Sequence, residues 1–488
     1  MRPIAILLAL VGCSLASVAV AEETRVTLLH TTDVHGSLLP YDDLLAKPAA
    51  RGLAKVATLV KQARAEGQAV LLFDNGDAIA GSPMVSVWRR GDRSRPEPVT
   101  LAMNAMGYDG MSVGNHEFDF GPAGLESTRA AAHFPVLAAN IVRAGTGAPA
   151  FQGTLVRELP NGVRVGVIGL CTPAVPLMGD STTYAGLVFL SPTEVVTREL
   201  QHLRKGERCD IVVVLAHMGL EKDLRSGEPR KGEPANENWG WRMAYEVPGI
   251  DAVILGHTHQ VIPTGEVRGT LVTQAGSLGQ ALGRLDFTLT RETSLSHWTL
   301  TKREARVITV TDTVATDPEL AELLAPYAAD TRAALDEVVG EARQPLSAPF
   351  GRFTDNPLWR LVHQVQLDAT GADVSLAALF DPTQRIAAGP IRMRDLMRLY
   401  PYDNTLTVAD LSGADLKATL EQSVRFFATY TLEGGKSLVE PGMAGFNYDT
   451  AYGVEYEVDL TRPPGDRILN LTRAGKPGST SDLPPSSV

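Results

Sequence analysis

The chain has 488 residues, with 45 Lys and Arg against 56 Asp and Glu for a formal net charge of -11, and 44% of its positions are hydrophobic. At about 150 residues per domain, that length calls for more than one domain, each with enough apolar residues for its own core. Three Cys exclude a disulfide scaffold, and the acidic balance excludes a large polynucleotide-binding face, because backbone phosphates demand clustered Lys and Arg.

Arg2 precedes an apolar run from Ile4 to Val20, and Ala19-Val20-Ala21 before Glu22 reads as a small-x-small cleavage site. Residues 1–21 are therefore expected to be a signal peptide and the mature protein periplasmic or extracellular. Leu10-Val11-Gly12-Cys13 also fits a lipoprotein cleavage box that would lipidate Cys13, although the apolar run before it is short. No later apolar run approaches the roughly 20 residues of a membrane span.

From Arg25 to about Leu289, short apolar runs alternate with helical patterns. The runs Val26-Leu29, Val70-Phe73, Val136-Ala139, Val163-Leu170, Ile211-Leu215 and Ala252-Leu255 are continuous and aliphatic, as strands buried on both faces should be. Helices are predicted over Leu53 to Ala65 and Pro192 to Leu203. Together these make an α/β domain. Gly269 to Val310 alternates more and is expected to add antiparallel strands that close the sheet. Asp317 before Pro318 caps a helix predicted to Val339, which joins a second domain. The boundary falls near residues 335 to 350, and new helices are expected over Asn356 to Asp368 and Ser412 to Phe427. Cys171 follows one predicted strand and Cys209 precedes another. If those strands are parallel neighbours, the thiols lie at opposite ends, beyond the about 7 Å that a disulfide allows between Cα atoms. Two unpaired, buried thiols are expected.

The polar residues with chemistry cluster at the ends of these strands. Val26-Leu29 runs into His30-Thr31-Thr32-Asp33-Val34-His35, and Leu72-Phe73-Asp74 into Asn75-Gly76-Asp77. Gly114-Asn115-His116-Glu117-Phe118-Asp119, Ala216-His217 and Gly256-His257-Thr258-His259 follow. In an open α/β sheet such ends converge on one crevice. Asp33, His35, Asp77, Asn115, His217, His257 and His259 offer seven nitrogen and oxygen donors. One metal needs four to six, so seven point to two divalent ions sharing a bridging carboxylate. No Cys is in the set, which argues against a closed structural zinc site. Each motif alone has an ordinary structural explanation as a turn or a hydrogen-bonded filler; their joint order at successive strand ends does not. His30, His133, His202, His297 and His363 lack that context and are read as surface or structural.

This set resembles the calcineurin-like metallophosphoesterases, and more narrowly the exported family of UDP-sugar hydrolase/5'-nucleotidase and 2',3'-cyclic-nucleotide 2'-phosphodiesterase/3'-nucleotidase. The resemblance spans nearly the whole mature chain. It implies a four-layer α/β/β/α metallophosphoesterase sandwich over residues 25–316, a linker helix over 317–343, and a smaller C-terminal α/β substrate-binding domain over 344–475. A polar tail fills 476–488. It further implies that Asp33, His35, Asp77 and His259 hold one metal, and that Asp77, Asn115, His217 and His257 hold the other. His116 resembles the catalytic His that binds no metal and stabilises transition-state charge or protonates the leaving alkoxide, with Asp119 orienting it from one helical turn away. Zn, Mn, Co or Fe would suit the ligands.

In this family the second domain stacks the base on aromatic side chains, and 5'-nucleotidases carry there a glycine-rich segment ending in Arg. This chain has Leu379-Phe380-Asp381-Pro382-Thr383-Gln384-Arg385, without the glycines. Tyr400-Pro401-Tyr402-Asp403-Asn404-Thr405-Leu406, Phe446-Asn447-Tyr448-Asp449 and Gly453-Val454-Glu455-Tyr456 look more like the cyclic-phosphodiesterase/3'-nucleotidase branch. Phe446 or Tyr448 is the expected stacking platform and Arg385 a substrate contact. After Gly475-Lys476-Pro477 the chain turns polar where relatives continue into a glycine-rich stretch with a second aromatic, so an incomplete base sandwich is expected. The reading is a monomeric, exported phosphohydrolase of small nucleotides rather than polynucleotides. A thiosulfohydrolase-like metallohydrolase and a non-enzymatic nucleotide or metal binder are the alternatives; an intact His116–Asp119 pair speaks against the binder.

Overall fold

The computed structural model describes residues 21–230, 236–293, 296–400, 405–431, 438–440, 443 and 445–473. Residues 1–20 of the expected signal peptide, with Cys13, residues 401–404 and the polar tail lie outside the described residues.

Two six-stranded sheets dominate the first part of the chain. One runs, in spatial order, Thr299–Thr309, Ala281–Arg291, Glu22–Thr31, Ala69–Asp74, Gly110–Ser112 and Val136–Leu137. The other runs Val261–Val267, Thr270–Ala275, Ala252–Leu255, Ile211–His217, Arg164–Cys171 and Thr154–Glu158. The alternation of side chains along each strand makes the layers. Val26, Leu28, Leu71 and Phe73 face Val165, Val167, Val213, Leu215 and Ile254 across the space between the sheets. Their neighbours Leu29 and Leu72 point the other way, onto the helices Leu53–Arg64 and Pro98–Met106. Val212, Val214 and Val253 likewise pack on the helices Pro192–Gln201 and Gly240–Glu246. The result is an α/β/β/α sandwich, and strands buried on both faces explain the continuous aliphatic runs.

Several expectations need correction. The strand ends do not belong to one open sheet: three come from the first sheet and two from the second. Thr270–Ala275 does not close the first sheet but lies parallel to Ala252–Leu255 in the second, whereas Ala281–Arg291 pairs antiparallel with Glu22–Thr31 as expected. The run Val136-Ala139 is a strand only to Leu137, because Ala139 N–H donates to the Gly169 carbonyl and carries the chain across to the second sheet. Asp317 caps its helix by accepting from Leu320 N–H at 3.0 Å, but that helix ends at Asp336, and Val338–Ala342 is a strand paired with Gly389–Arg392. Nor is the helix a free linker: Leu320, Leu324 and Tyr327 are buried among the residues of the first domain's outer helical layer.

Cys171 and Cys209 are both buried and free. The strands that carry or follow them are parallel neighbours, with Cys171 opposite His217 at the far end from Cys209. The second domain has a separate core, in which Leu358, Trp359, Leu416, Leu420, Phe426 and Tyr448 meet. Its helices Pro357–Thr370 and Gly413–Ser423 start at Asn356 and Ser412, whose side chains accept from the third helical N–H.

Candidate dinuclear metal centre

The carboxyl ends of the inner strands of both sheets meet, and buried polar ties lock them together. Asn75, at the end of Ala69–Asp74, donates through Nδ2 to the carbonyls of Ala216 and Ile254 in the opposite sheet, at 3.0 and 3.1 Å. Ser112 Oγ donates to the Leu170 carbonyl at 3.0 Å. These bonds set the spacing between the loops that carry the candidate donors.

Two clusters result. Ligand atoms of Asp33, His35 and His259 lie within 4.8 Å of one another, and so do those of Asp77, His217 and His257. Asp77 faces both, with Oδ2 3.0 Å from His217 Nε2 and 4.0 Å from His35 Nε2. Asn115 Oδ1 lies 2.8 Å from His257 Nδ1 and 3.2 Å from His217 Nε2. All seven predicted donors are thus brought together. Backbone carbonyls select the tautomers, since a carbonyl can only accept: His35 Nδ1–H donates to Ala80 and His217 Nδ1–H to Asn75. Both rings therefore turn Nε2 inward.

The chemistry of this donor set fits divalent cations. The buried Asp77 Oδ2 faces the Nε2 atoms of His217 and His35, and the Nε2 atoms of His35 and His259 point at each other 3.0 Å apart. A cation between such lone pairs would satisfy atoms that are otherwise left facing one another. The buried carboxylates also concentrate negative charge there, which favours positive charge in the site, whether on His217 or on a cation. Burial opposes a charge on His217, yet Asp77, Asp33 and Glu117 lift its pKa to about 10. Burial likewise pushes the Asp77 carboxyl up, but the charge of His217, its hydrogen bond and the nearby His116 and His35 hold it well below the usual range. Burial draws His259 down to about 4, with His35 adding repulsion.

Beside these clusters, His116 Nδ1 is 2.8 Å from Asp119 Oδ2 and its backbone N–H donates to Asp77 Oδ1 at 2.8 Å. Burial lowers the His116 pKa, but the Asp119 hydrogen bond and the Asp77 charge outweigh it and raise the pKa to about 9. The pair stays partly open to solvent, at 41% and 43% exposure of the two side chains. His116 can therefore present a protonated Nε2 to an incoming ligand.

Two carboxylates escaped the sequence reading. Glu117 is fully buried, and its two oxygens accept from the N–H groups of Asp77, Ala78 and Gly114 at 2.6 to 2.8 Å, which fixes the loop that carries Asp77. Its place inside the Asn115-His116-Glu117 run was the available signal. Glu237 sits in an irregular segment with no local pattern, and its Oε1 lies 2.8 Å from His257 Nε2.

In the second domain, Tyr448 cannot be a base platform. Its ring is buried, stacked on Phe426 with centroids 5.5 Å apart and edged by Trp359 and Phe427. It lies between the 3-10 turn Gly445–Asn447 and the strand Asp449–Tyr452, with its ring turned into the core. Phe446, in a short 3-10 turn, is 53% exposed, and Arg385 is exposed on the strand Arg385–Ile386.

The Calcineurin-like phosphoesterase family model matches residues 26–261, and that of the 5'-nucleotidase C-terminal domain matches residues 338–481. The chain is similar to the 2',3'-cyclic-nucleotide 2'-phosphodiesterase/3'-nucleotidase of Yersinia enterocolitica, with 31% identity over 98% of this chain and 82% of the relative. It is 30% identical to Protein UshA of the same species, over 81% of this chain and 75% of that one. A solved Staphylococcus aureus structure named as a 5'-nucleotidase superposes with a TM-score of 0.80 at 28% identity, covering 95% of this chain and 89% of that one. The chain belongs to the calcineurin-like phosphoesterases that carry a 5'-nucleotidase C-terminal domain, and is a metal-dependent phosphoester hydrolase.

Proposed function

We propose that the substrates are nucleotides and that the preferred bonds are 2',3'-cyclic and 3'-phosphoesters. The observation that carries the phosphoester chemistry is a pair of donor clusters sharing Asp77 beside the partly open His116–Asp119 pair. Asp33, His35, Asp77 and His259 would hold one divalent ion, and Asp77, Asn115, His217 and His257 the other. When bound, two such ions supply an activated water and positive charge for the phosphoryl oxygens. Zn, Mn, Co or Fe would suit these nitrogen and oxygen ligands.

The chain's own residues supply the rest. Asp119 retains the Nδ1 proton of His116, so Nε2–H is free to stabilise a developing charge or pass its proton to the leaving alkoxide. The loops held by Asn75 and Glu117 keep the donors in place before substrate arrives, which lowers the cost of reaching the transition state. Phe446 and Arg385 remain candidates for base and phosphate contacts in the second domain. Preference for cyclic and 3'-esters is supported by the stretches around residues 400–406 and 446–456 and by the Yersinia relative. The apolar run from Ile4 to Val20, ending in the small-x-small site Ala19-Val20-Ala21, supports export.

The test is phosphate release from AMP, 3'-AMP and 2',3'-cyclic AMP, and ester cleavage of bis-p-nitrophenyl phosphate, before and after chelation. Metal-dependent turnover highest on 2',3'-cyclic AMP and 3'-AMP is expected. A preference for AMP would overturn the ester assignment, and turnover of none of them would overturn the proposal.

A further inference from the structure

His257 differs from the other inward-facing histidines. His35 and His217 turn Nε2 to the centre and donate Nδ1–H to backbone carbonyls; His257 instead aims Nδ1 at the Asn115 side chain, which leaves Nε2 outward. There it meets the Glu237 carboxylate at 2.8 Å, with the side chains only 12% and 19% exposed. A carboxylate only accepts, so Glu237 holds the proton on Nε2 and leaves the lone pair on Nδ1.

Glu237 is itself held from both sides. Its carbonyl accepts from Thr172 Oγ1 at 2.7 Å, just beyond the strand Arg164–Cys171, and Thr172 N–H donates to the His217 carbonyl at 3.1 Å. The next residue, Asn238, is buried and accepts through Oδ1 from Gly219 N–H at 2.5 Å. The segment is thus tied to the loops after two strands of the second sheet, one of which bears His217. Such anchoring makes little sense for an incidental surface ion pair, which gains little by being rigid.

We propose that Glu237 is a positioning residue that sets the tautomer and ring orientation of His257, and through it the affinity of the ion that would be shared by Asp77, Asn115 and His217. This rests on the dinuclear reading above. Outer carboxylates of this kind typically govern metal affinity by about 10- to 100-fold.

The experiment counts ions per chain by native mass spectrometry and measures their affinities by competition with a chromophoric chelator, in wild type, E237A and E237Q loaded with zinc or manganese. Wild type is expected to bind two ions. E237A should keep one at wild-type affinity and lose about 10- to 100-fold at the other. E237Q should show a smaller loss at that same ion, because an amide oxygen still accepts the Nε2 proton but without the charge that strengthens the bond. Two ions at wild-type affinity in E237A, or equal weakening of both, would overturn the assignment. Should E237A not fold, E237Q decides: a selective loss supports Glu237, and no loss overturns it. Fewer than two ions in wild type would instead bring down the dinuclear reading itself.

Discussion

Asp33, His35, Asp77, His257 and His259 all hold φ between 48° and 67°. A left-handed backbone costs a residue with a Cβ about 1 kcal/mol or more, and such strain persists only where the surroundings enforce it. Here the loops enforce it on one another: His35 N–H donates to the Asp77 carbonyl at 2.8 Å, and His257 N–H to Asp33 Oδ1 at 2.9 Å. Close packing adds to this, since a Cβ on Gly114 would lie 2.2 Å from Asp77 Oδ1. His116 stands outside this frame. Its tie to Asp77 runs through the backbone N–H, which survives truncation of the side chain. H116A is therefore expected to keep both ions while turnover falls by about 10²- to 10⁴-fold, the usual worth of a general acid. D119N should fall less, because Asn can still accept the Nδ1 proton. Phosphate release and ion content measured on the same samples check this; unchanged turnover, or lost ions, would refute the role of His116.

At the scale of elements, strands and their ends were legible because a buried strand shows as an aliphatic run and its donors follow within a few residues. Long-range pairing was not. Nothing local in Val26-Leu29 or Ile211-Leu215 says that they lie in different sheets, nor that Asn75 bridges them. Arg467 is a similar case: in Gly465-Asp466-Arg467 it looks like a solvated turn residue, yet it is fully buried. It donates to the carbonyls of Val424, Phe427 and Arg462 at 2.7 to 3.1 Å and to Thr429 Oγ1 at 2.8 Å. It thereby closes the end of the helix Gly413–Ser423 and the 3-10 turn Val424–Phe426 that follows. R467A would strand several carbonyls at once, and each buried group left unpaired costs about 1 to 3 kcal/mol. We expect a loss on the order of 3 kcal/mol in the unfolding of the second domain, with the ion count unchanged. Calorimetry resolves the two, and an unaltered transition would contradict the structural role of Arg467.

The two domains also carry separate acid-sensitive elements. His30 is fully buried between the sheets, with neither ring nitrogen hydrogen-bonded, and burial draws its pKa down to about 3. In the second domain His363 lies between Ser375 and Thr450, stacked on Tyr452, and burial lowers it to about 4. Both values lie below the roughly 6.5 of an unfolded His. The unfolded chain therefore binds more protons between those limits, and stability falls with falling pH. Each group's contribution is fully present above about pH 6.5 and declines by about 1.4 kcal/mol per pH unit until the folded pKa is reached. Phe needs no hydrogen bond at the His30 site, but the ring there lies so close to Gly283 that a Cβ would be 1.9 Å from Nε2, so the larger Phe ring costs about 1 to 3 kcal/mol in overpacking. H30F should thus be less stable than wild type at pH 7.5, and that deficit in the first-domain transition should shrink steadily from pH 6.5 to pH 4. The second-domain transition should keep its acid slope, since His363 is untouched. Denaturant unfolding followed at each pH measures the difference between the two proteins, in which the titration of every shared carboxylate cancels. A difference that stays constant across that range would mean that His30 is not held neutral by burial.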